Sequence, residues 1–207
     1  MATIITIHPE NPQERLLKQA VSAIQDGAVI AYPTDSGYAI GCALDDKKAF
    51  ERVCRIRDVD KKHNFTLVCP SLSEVAKYAT VDNERFRMLK RYTPGPYTFI
   101  LKACRDVPNR VINAKRKTVG VRIPDNKICL GLVECLGTPI MSTSLMLPGN
   151  DFAENDPYEI DDKIGGLIDL IVDGGYLSSV PTTVVDMSDD EISVTRVGAG
   201  DPYPFAD

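Results

Sequence analysis

Residues 28–44 read Ala28-Val-Ile-Ala-Tyr-Pro-Thr-Asp-Ser-Gly-Tyr-Ala-Ile-Gly-Cys-Ala-Leu44. The run Ala28–Tyr32 is short, apolar and partly β-branched, which reads as a buried strand. Pro33-Thr34-Asp35-Ser36-Gly37 is a turn, because proline presets one dihedral, Asp and Ser bond their own backbone, and glycine tolerates the bend. Tyr38–Leu44 then reads as a second strand. The pattern outside this pair decides the fold class. On the N-terminal side, Asn11-Pro12 supplies a helix cap and a first-turn proline. Leu16, Leu17, Ala20, Val21 and Ile24 recur at helical spacing until Gly27. On the C-terminal side, Asp46 caps a helix that reaches Arg57.

Strands are expected near Phe65–Cys69, Tyr97–Ala103, Thr118–Ile123 and Pro139–Ser144, and helices over Ser73–Ala79, Asn83–Tyr92, Asn126–Leu136 and Asp156–Ile164. Pro94-Gly95-Pro96 ends the second of these helices, since proline has no amide hydrogen to continue it. Three late apolar segments follow: Leu167–Val172, Thr183–Met187 and Ile192–Val197. Strands alternate with helices early, and hairpin-like strands cluster late. The expected class is therefore α/β, a twisted mixed sheet with helices packed on it, in one domain over residues 1–207.

The composition is ordinary for a globular chain, 43% hydrophobic and 26% charged over 207 residues. No run approaches the about 18 apolar residues of a membrane helix, and Met1–His8 lacks the plan of a signal peptide. Six cysteines without a C-x-x-C, most of them inside apolar stretches, read as free thiols of a reducing, cytoplasmic compartment. With only His8 and His63 to add, no metal site is expected. Charge is unevenly placed. Residues 1–122 carry 21 Lys/Arg against 13 Asp/Glu, and residues 123–207 carry 3 against 16. The densest stretch, Lys102–Arg122, sets seven cations against Asp106 alone. It is either a surface facing a polyanion or a solvated charged face.

Several loops rich in Thr, Ser and Arg lie just beyond expected strand ends, where α/β folds commonly build ligand clefts. They include Pro33–Tyr38, Ser142-Thr143-Ser144, Pro181-Thr182-Thr183 and Arg196. Arg55 and Arg57, two apart on one helix, cannot share a face and must splay or sit at the helix end. There they either fork onto phosphate or carboxylate oxygens or pair with Asp58 or Asp60. The sequence has no Walker loop, no G-x-G-x-x-G, no nucleophile elbow and no His-based triad. Catalysis by this chain would have to rest on positioning and charge stabilisation.

Taken in order, five segments resemble the YrdC/YciO family. Pro33-Thr-Asp-Ser-Gly-Tyr38 is similar to its P-T-D-T-x-Y, Pro94-Gly-Pro-Tyr-Thr98 to its P-G-P-x-T, and Val121-Arg-Ile-Pro124 to its V-R-x-P. Pro181-Thr-Thr-Val-Val-Asp186 is similar to P-S-T-V-V-D, and Arg196-Val-Gly198 to R-x-G. The matches span nearly the whole chain. Cys54-Arg-Ile-Arg57, His63-Asn-Phe-Thr-Leu67 and Ser142-Thr-Ser-Leu-Met-Leu-Pro-Gly149 resemble the YciO branch in particular.

The resemblance implies a YrdC-like fold with a positively charged concave face. It also implies kinship to threonylcarbamoyl-AMP synthase, which joins L-threonine, bicarbonate and ATP and releases pyrophosphate; the product feeds threonylcarbamoyl modification of a tRNA adenosine. Carried over residue by residue, Thr34 and Tyr38 line the threonine side, and Arg55 and Arg57 act as catalytic groups toward carbamate and phosphates. Thr118, Arg122 and Ser144 bound the substrate cleft, and Thr182, Thr183 and Arg196 lie nearest AMP. ATP enters as substrate with Mg2+ carried on its phosphates, since no carboxylate cage is evident. Lys115, Arg116 and Lys117 are the expected contacts for tRNA or double-stranded RNA.

Two positions depart from the synthases. Their K-x-R is Arg55-x-Arg57 here, which exchanges a compact ammonium for a planar fork. Their S-x-N is Ser144-x-Met146, which exchanges an amide for a weakly accepting thioether. Two readings therefore stand together: a weak or altered synthase, and an RNA-binding module without chemistry.

Overall fold

In the computed structural model, which describes residues 1–60 and 63–205, the quoted stretch forms the antiparallel pair β2 (Ile30–Thr34) and β3 (Gly37–Ala43). The connection is tight because Gly37 takes φ +96°, a conformation costly for any side chain. A Cβ there would also stand 3.2 Å from the Ala153 methyl. The Thr34 hydroxyl closes the turn, donating to the Gly37 carbonyl at 2.7 Å and accepting from the Ser36 amide at 3.1 Å.

Eight further strands extend this pair: β1 (Thr3–Thr6), β4 (Thr66–Val68), β5 (Tyr97–Lys102), β6 (Thr118–Arg122), β7 (Ile140–Ser144), β8 (Leu170–Asp173), β9 (Thr183–Asp186) and β10 (Ser193–Arg196). Their order is β1-β8-β2-β3-β7-β4-β6-β5-β9-β10. Pairs β1–β8, β2–β8, β4–β6 and β5–β9 are parallel and the others antiparallel, so the sheet is mixed, as expected. The late strands do not cluster. β9 and β10 pair at one edge, but β8 crosses back to lie between β1 and β2.

Among the described residues six helices pack on the sheet: α1 (Glu14–Gln25), α2 (Lys47–Arg57), α3 (Leu72–Tyr78), α4 (Asn83–Tyr92), α5 (Lys127–Leu136) and α6 (Pro157–Ile164). Asp46, Asn126 and Asp156 cap α2, α5 and α6 through side-chain bonds of 2.9–3.0 Å to backbone amides. The expected cap at Asn11 is not made. α1 begins at Glu14, and Gln13 precedes it with its side chain turned back to the His8 amide.

Two apolar layers result. Phe50 and Val53 of α2, Val75 of α3, Leu89 of α4 and Ile160 of α6 pack with Ile40, Leu67, Phe99, Val121 and Met141. On the opposite face, α1 and α5 pack against Ile30, Tyr32, Val68, Ile140 and Val172. Side chains alternate along a strand, so Thr66 shares a face with Val68, and Ser142 and Ser144 share one with Ile140. α1 and α5 cover only part of that face; its remainder carries the cavity described next. Among the described residues no helix is long and apolar enough to cross a membrane.

Candidate functional site

The uncovered face is polar because alternate residues of β4, β5, β6, β7 and β10 include Thr66, Thr98, Thr118, Arg122, Ser142 and Arg196. Thr66 of β4 stands beside Gly120 of β6 and Ser142 of β7, and Ile100 of β5 stands beside Gly120. Thr98 pairs with Val184, and Val184 with Arg196. With Thr118 and Arg122 they line a cavity of about 470 Å³, within the range of small-molecule sites. Gly120 keeps its floor low: a Cβ there would lie 3.0 Å from Thr66 Oγ1 and 3.2 Å from the Phe65 carbonyl.

Four arginines, Arg57, Arg116, Arg122 and Arg196, line the cavity, and among the described residues no Asp or Glu does. Each is held differently. Arg122 is buried and pairs with Asp35 of the β2–β3 turn, while its Nε has no partner. Arg196 donates from Nε to the Thr182 carbonyl and from Nη2 to Thr182 Oγ1, both at 3.0 Å. Burial, then the charge of Arg122, holds it below the ordinary arginine range. Arg116 pairs with Asp186 and donates to Ser188 Oγ at 2.8 Å and to Asp189 Oδ2 at 3.0 Å. Arg57, at the end of α2, is 6% exposed and makes no hydrogen bond or ion pair among the described residues.

Of the expected site residues, Arg57, Thr118, Arg122, Ser144, Thr182, Arg196 and Arg116 meet in this cavity. Thr34, Tyr38 and Thr183 are buried but do not line it, because their hydroxyls hold the fold. Thr34 closes the hairpin. Tyr38 donates to the Gly175 carbonyl at 2.8 Å and accepts from the Gly174 amide at 3.1 Å, and burial pushes its phenol well above the usual range. Thr183 accepts from the Gly198 amide at 2.9 Å and donates to the Gly200 carbonyl. Arg55 is exposed and off the lining, since two positions along a helix turn it away from Arg57. Lys115 and Lys117 are also exposed and off the lining, in the loop that carries Arg116.

The charge asymmetry along the chain is partly cancelled in space. Lys102, Arg116 and Arg122 of the basic stretch pair with Asp189, Asp186 and Asp35, two of them from the acidic half. Arg110 lies over the Phe50 ring and donates to the Leu44 carbonyl. Arg105, Lys115 and Lys117 remain without an ion pair among the described residues.

Asn64, Thr66, Thr98, Asn113 and His63 also line the cavity and were not anticipated. Period-2 placement of Thr98 in Tyr97–Lys102, and of Thr66 in its strand, was a usable signal; the loop residues offered none. His63 Nε2 lies 2.9 Å from Thr143 Oγ1, and its ring meets Phe65 edge-on at 4.9 Å. Burial, then the charge of Arg57, lowers its pKa, against the pull of Asp60.

A mixed sheet with a guanidinium-lined cavity on its open face defines an α/β protein of the YrdC-like fold. The chain belongs to the Sua5/YciO/YrdC family, whose model, described as telomere recombination, matches residues 22–198. It is 55% identical to YciO of Escherichia coli over 205 residues, 99% of this chain and all of that protein. The YciO crystal structure superposes with a TM-score of 0.95. A threonylcarbamoyl-AMP synthase of Pyrococcus abyssi is 30% identical over 189 residues, covering 90% of this chain and 55% of that protein. The P. abyssi Sua5 structure complexed with L-threonine matches with a TM-score of 0.88 at 26% identity, over 95% of this chain and 58% of that one. The expected YrdC-like fold and family are thereby borne out.

Proposed function

We propose that the cavity binds ATP together with L-threonine and bicarbonate and forms threonylcarbamoyl-AMP, releasing pyrophosphate. The observation that carries this reading is the concentration of four arginines, with no lining carboxylate among the described residues, in a cavity of about 470 Å³. Such a site favours a ligand with several negative charges and repels none of them. A threonine-bound relative of the same fold supports the choice of co-substrate.

In this reading the adenylate end lies at Thr182 and Arg196, with Thr98 Oγ1 2.8 Å from Thr182 Oγ1 to fix the threonine rotamer. Arg116 and Arg122 face the phosphates and exchange part of their pairing with Asp186, Asp189 and Asp35 for phosphate oxygens. Arg57 and Ser144 face the carboxylate and carbamate. The threonine amine adds to bicarbonate, an N–C bond forms and a C–O bond breaks with loss of water, giving the carbamate. A carbamate oxygen then attacks the α-phosphorus, a new P–O bond forms, and the bond to the β-phosphate oxygen breaks with its electron pair leaving on pyrophosphate. The arginines contribute orientation and charge neutralisation, and no covalent nucleophile is required. Mg2+ would arrive on the triphosphate and neutralise its leaving charge, because the lining offers oxygen ligands only from hydroxyls and amides. Met146, also in the lining, leaves a polar atom of the ligand unanswered and lowers the rate.

The test is pyrophosphate release from ATP with L-threonine and bicarbonate, against a control lacking threonine. Threonine-dependent release supports the reading; equal release in both overturns the synthase step.

A second reading, RNA binding, is favoured by Lys115 and Lys117, exposed and without ion pairs among the described residues beside the cavity residue Arg116. Retention of a tRNA transcript in a filter-binding titration tests it.

A further inference from the structure

The inference concerns His63 and Thr143, which no step above uses, and it rests on the reading of the cavity as an anion site. Arg57 is nine-tenths buried, lines the cavity and has no partner for its Nε. A guanidinium left in that state is incomplete without an oxyanion. His63 and Thr143 line the same cavity as Arg57, whose charge is one of the causes that lower the His63 pKa. The 2.9 Å contact with Thr143 occupies Nε2, and Nδ1 has no partner among the described residues. We propose that Arg57, His63 and Thr143 form an oxyanion subsite at which ligand capture is coupled to protonation of His63.

Without ligand, burial and the charge of Arg57 both disfavour the imidazolium, and Asp60 alone opposes them. Among the described residues the ring also meets Phe65 and Thr143, and neither titrates in this range. A bound oxyanion at Arg57 neutralises the guanidinium charge and, if doubly charged, reverses it; either raises the imidazole pKa. The protonated ring donates from Nε2 to Thr143 Oγ1 and from Nδ1 to the ligand. By linkage, the ligand then binds more tightly as pH falls. The class of ligand is a compact oxyanion, a carboxylate or a carbonate-derived group in the present reading, with sulfate as the probe that does not itself titrate.

The chain has two histidines, so its imidazole C2–H proton spectrum holds two signals, and His63→Gln assigns them. Each is titrated between about pH 5 and pH 8, around the ordinary imidazole pKa of about 6.5, without addition, with sodium sulfate, and with L-threonine. The expected result is a midpoint that rises for His63 and stays put for His8. Sulfate affinity should gain about tenfold for each unit of that rise as pH falls through the range. A threonine-induced rise assigns the subsite to carboxylates; a rise with sulfate alone assigns it to tetrahedral oxyanions. His63→Gln, or His63→Asn if the first melts early, should make sulfate affinity independent of pH. A His63 midpoint unmoved by bound sulfate, or a pH dependence that survives in the variants, overturns the inference while leaving ATP binding intact. Failure of both sulfate and ATP to bind saturably overturns it together with the anion-site reading.

Discussion

Replacing Arg57 by methionine separates what the guanidinium costs the fold from what it does for a ligand. Arg57 is 6% exposed and its Nε is buried without a partner. One unsatisfied buried donor costs about 1–3 kcal/mol. Methionine keeps an unbranched stem against the same neighbours and removes the polar atoms. After some loss of packing, Arg57→Met should gain about 1–2 kcal/mol of stability, which for a chain of this size raises Tm by about 2–8 °C. A charge-assisted bond to an oxyanion contributes about 1.5–3 kcal/mol, so the same change should weaken ligand binding by about tenfold to 150-fold. The assay is a thermal melt paired with calorimetric titration of ATP plus L-threonine. A lower Tm with unchanged affinity would instead make Arg57 a structural residue whose partners lie within the fold.

Met146→Asn supplies an amide where the lining has a thioether, and should raise threonine-dependent pyrophosphate release by about fivefold or more, the equivalent of about 1 kcal/mol; a folded variant with no gain counts against the proposed orientation of the co-substrate. Lys115→Ala combined with Lys117→Ala removes two exposed cations, and should flatten the dependence of log tRNA affinity on log salt by about 1.8; an unchanged slope removes this loop from any RNA interface. Burial raises the pKa of Asp186, but bonds from Arg116 and Ser188 outweigh it and hold the carboxyl below its ordinary value. The group therefore contributes stability that is present above the unfolded pKa of about 3.9 and lost as pH falls through the folded value. Asp186→Asn should accordingly show a shallower loss of stability below about pH 4 in denaturant titrations; matching acid limbs would contradict this.

Local signals in the sequence carried far, and long-range ones did not. Asp46, Asn126 and Asp156 marked helix starts because a short side chain caps an amide two or three residues on, an interaction contained within one turn. Asn11 misled because Pro12 beside it suits a first turn, whereas the chain enters α1 through Gln13. β1 went unread, being four residues long and half exposed; it is a strand because β8 returns to pair with it. The same return separates β8 from β9, which no local pattern encodes. For the site, the strand residues Thr118, Arg122 and Ser144 were legible by carry-over from the family resemblance, and the cavity lining includes all three. Thr34, Tyr38 and Thr183 sit in equally polar motifs, yet their hydroxyls are spent on turns and loops. Arg55 and Arg57 could not be told apart without knowing the rotation of α2. Charge summed along the chain overstated the basic face, because folding brings Asp35, Asp186 and Asp189 onto its arginines and lysines.

A nucleotide held on the open face of the sheet, between Arg57 at one end and Thr182 with Arg196 at the other, is tested by a calorimetric titration of the full chain with ATP and Mg2+, repeated with Arg196→Ala. The expected result is one saturable site per chain, weakened by added salt, and an affinity loss of about tenfold or more in the variant. Absence of saturable binding at millimolar ATP, or binding that Arg196→Ala leaves unchanged, would contradict it.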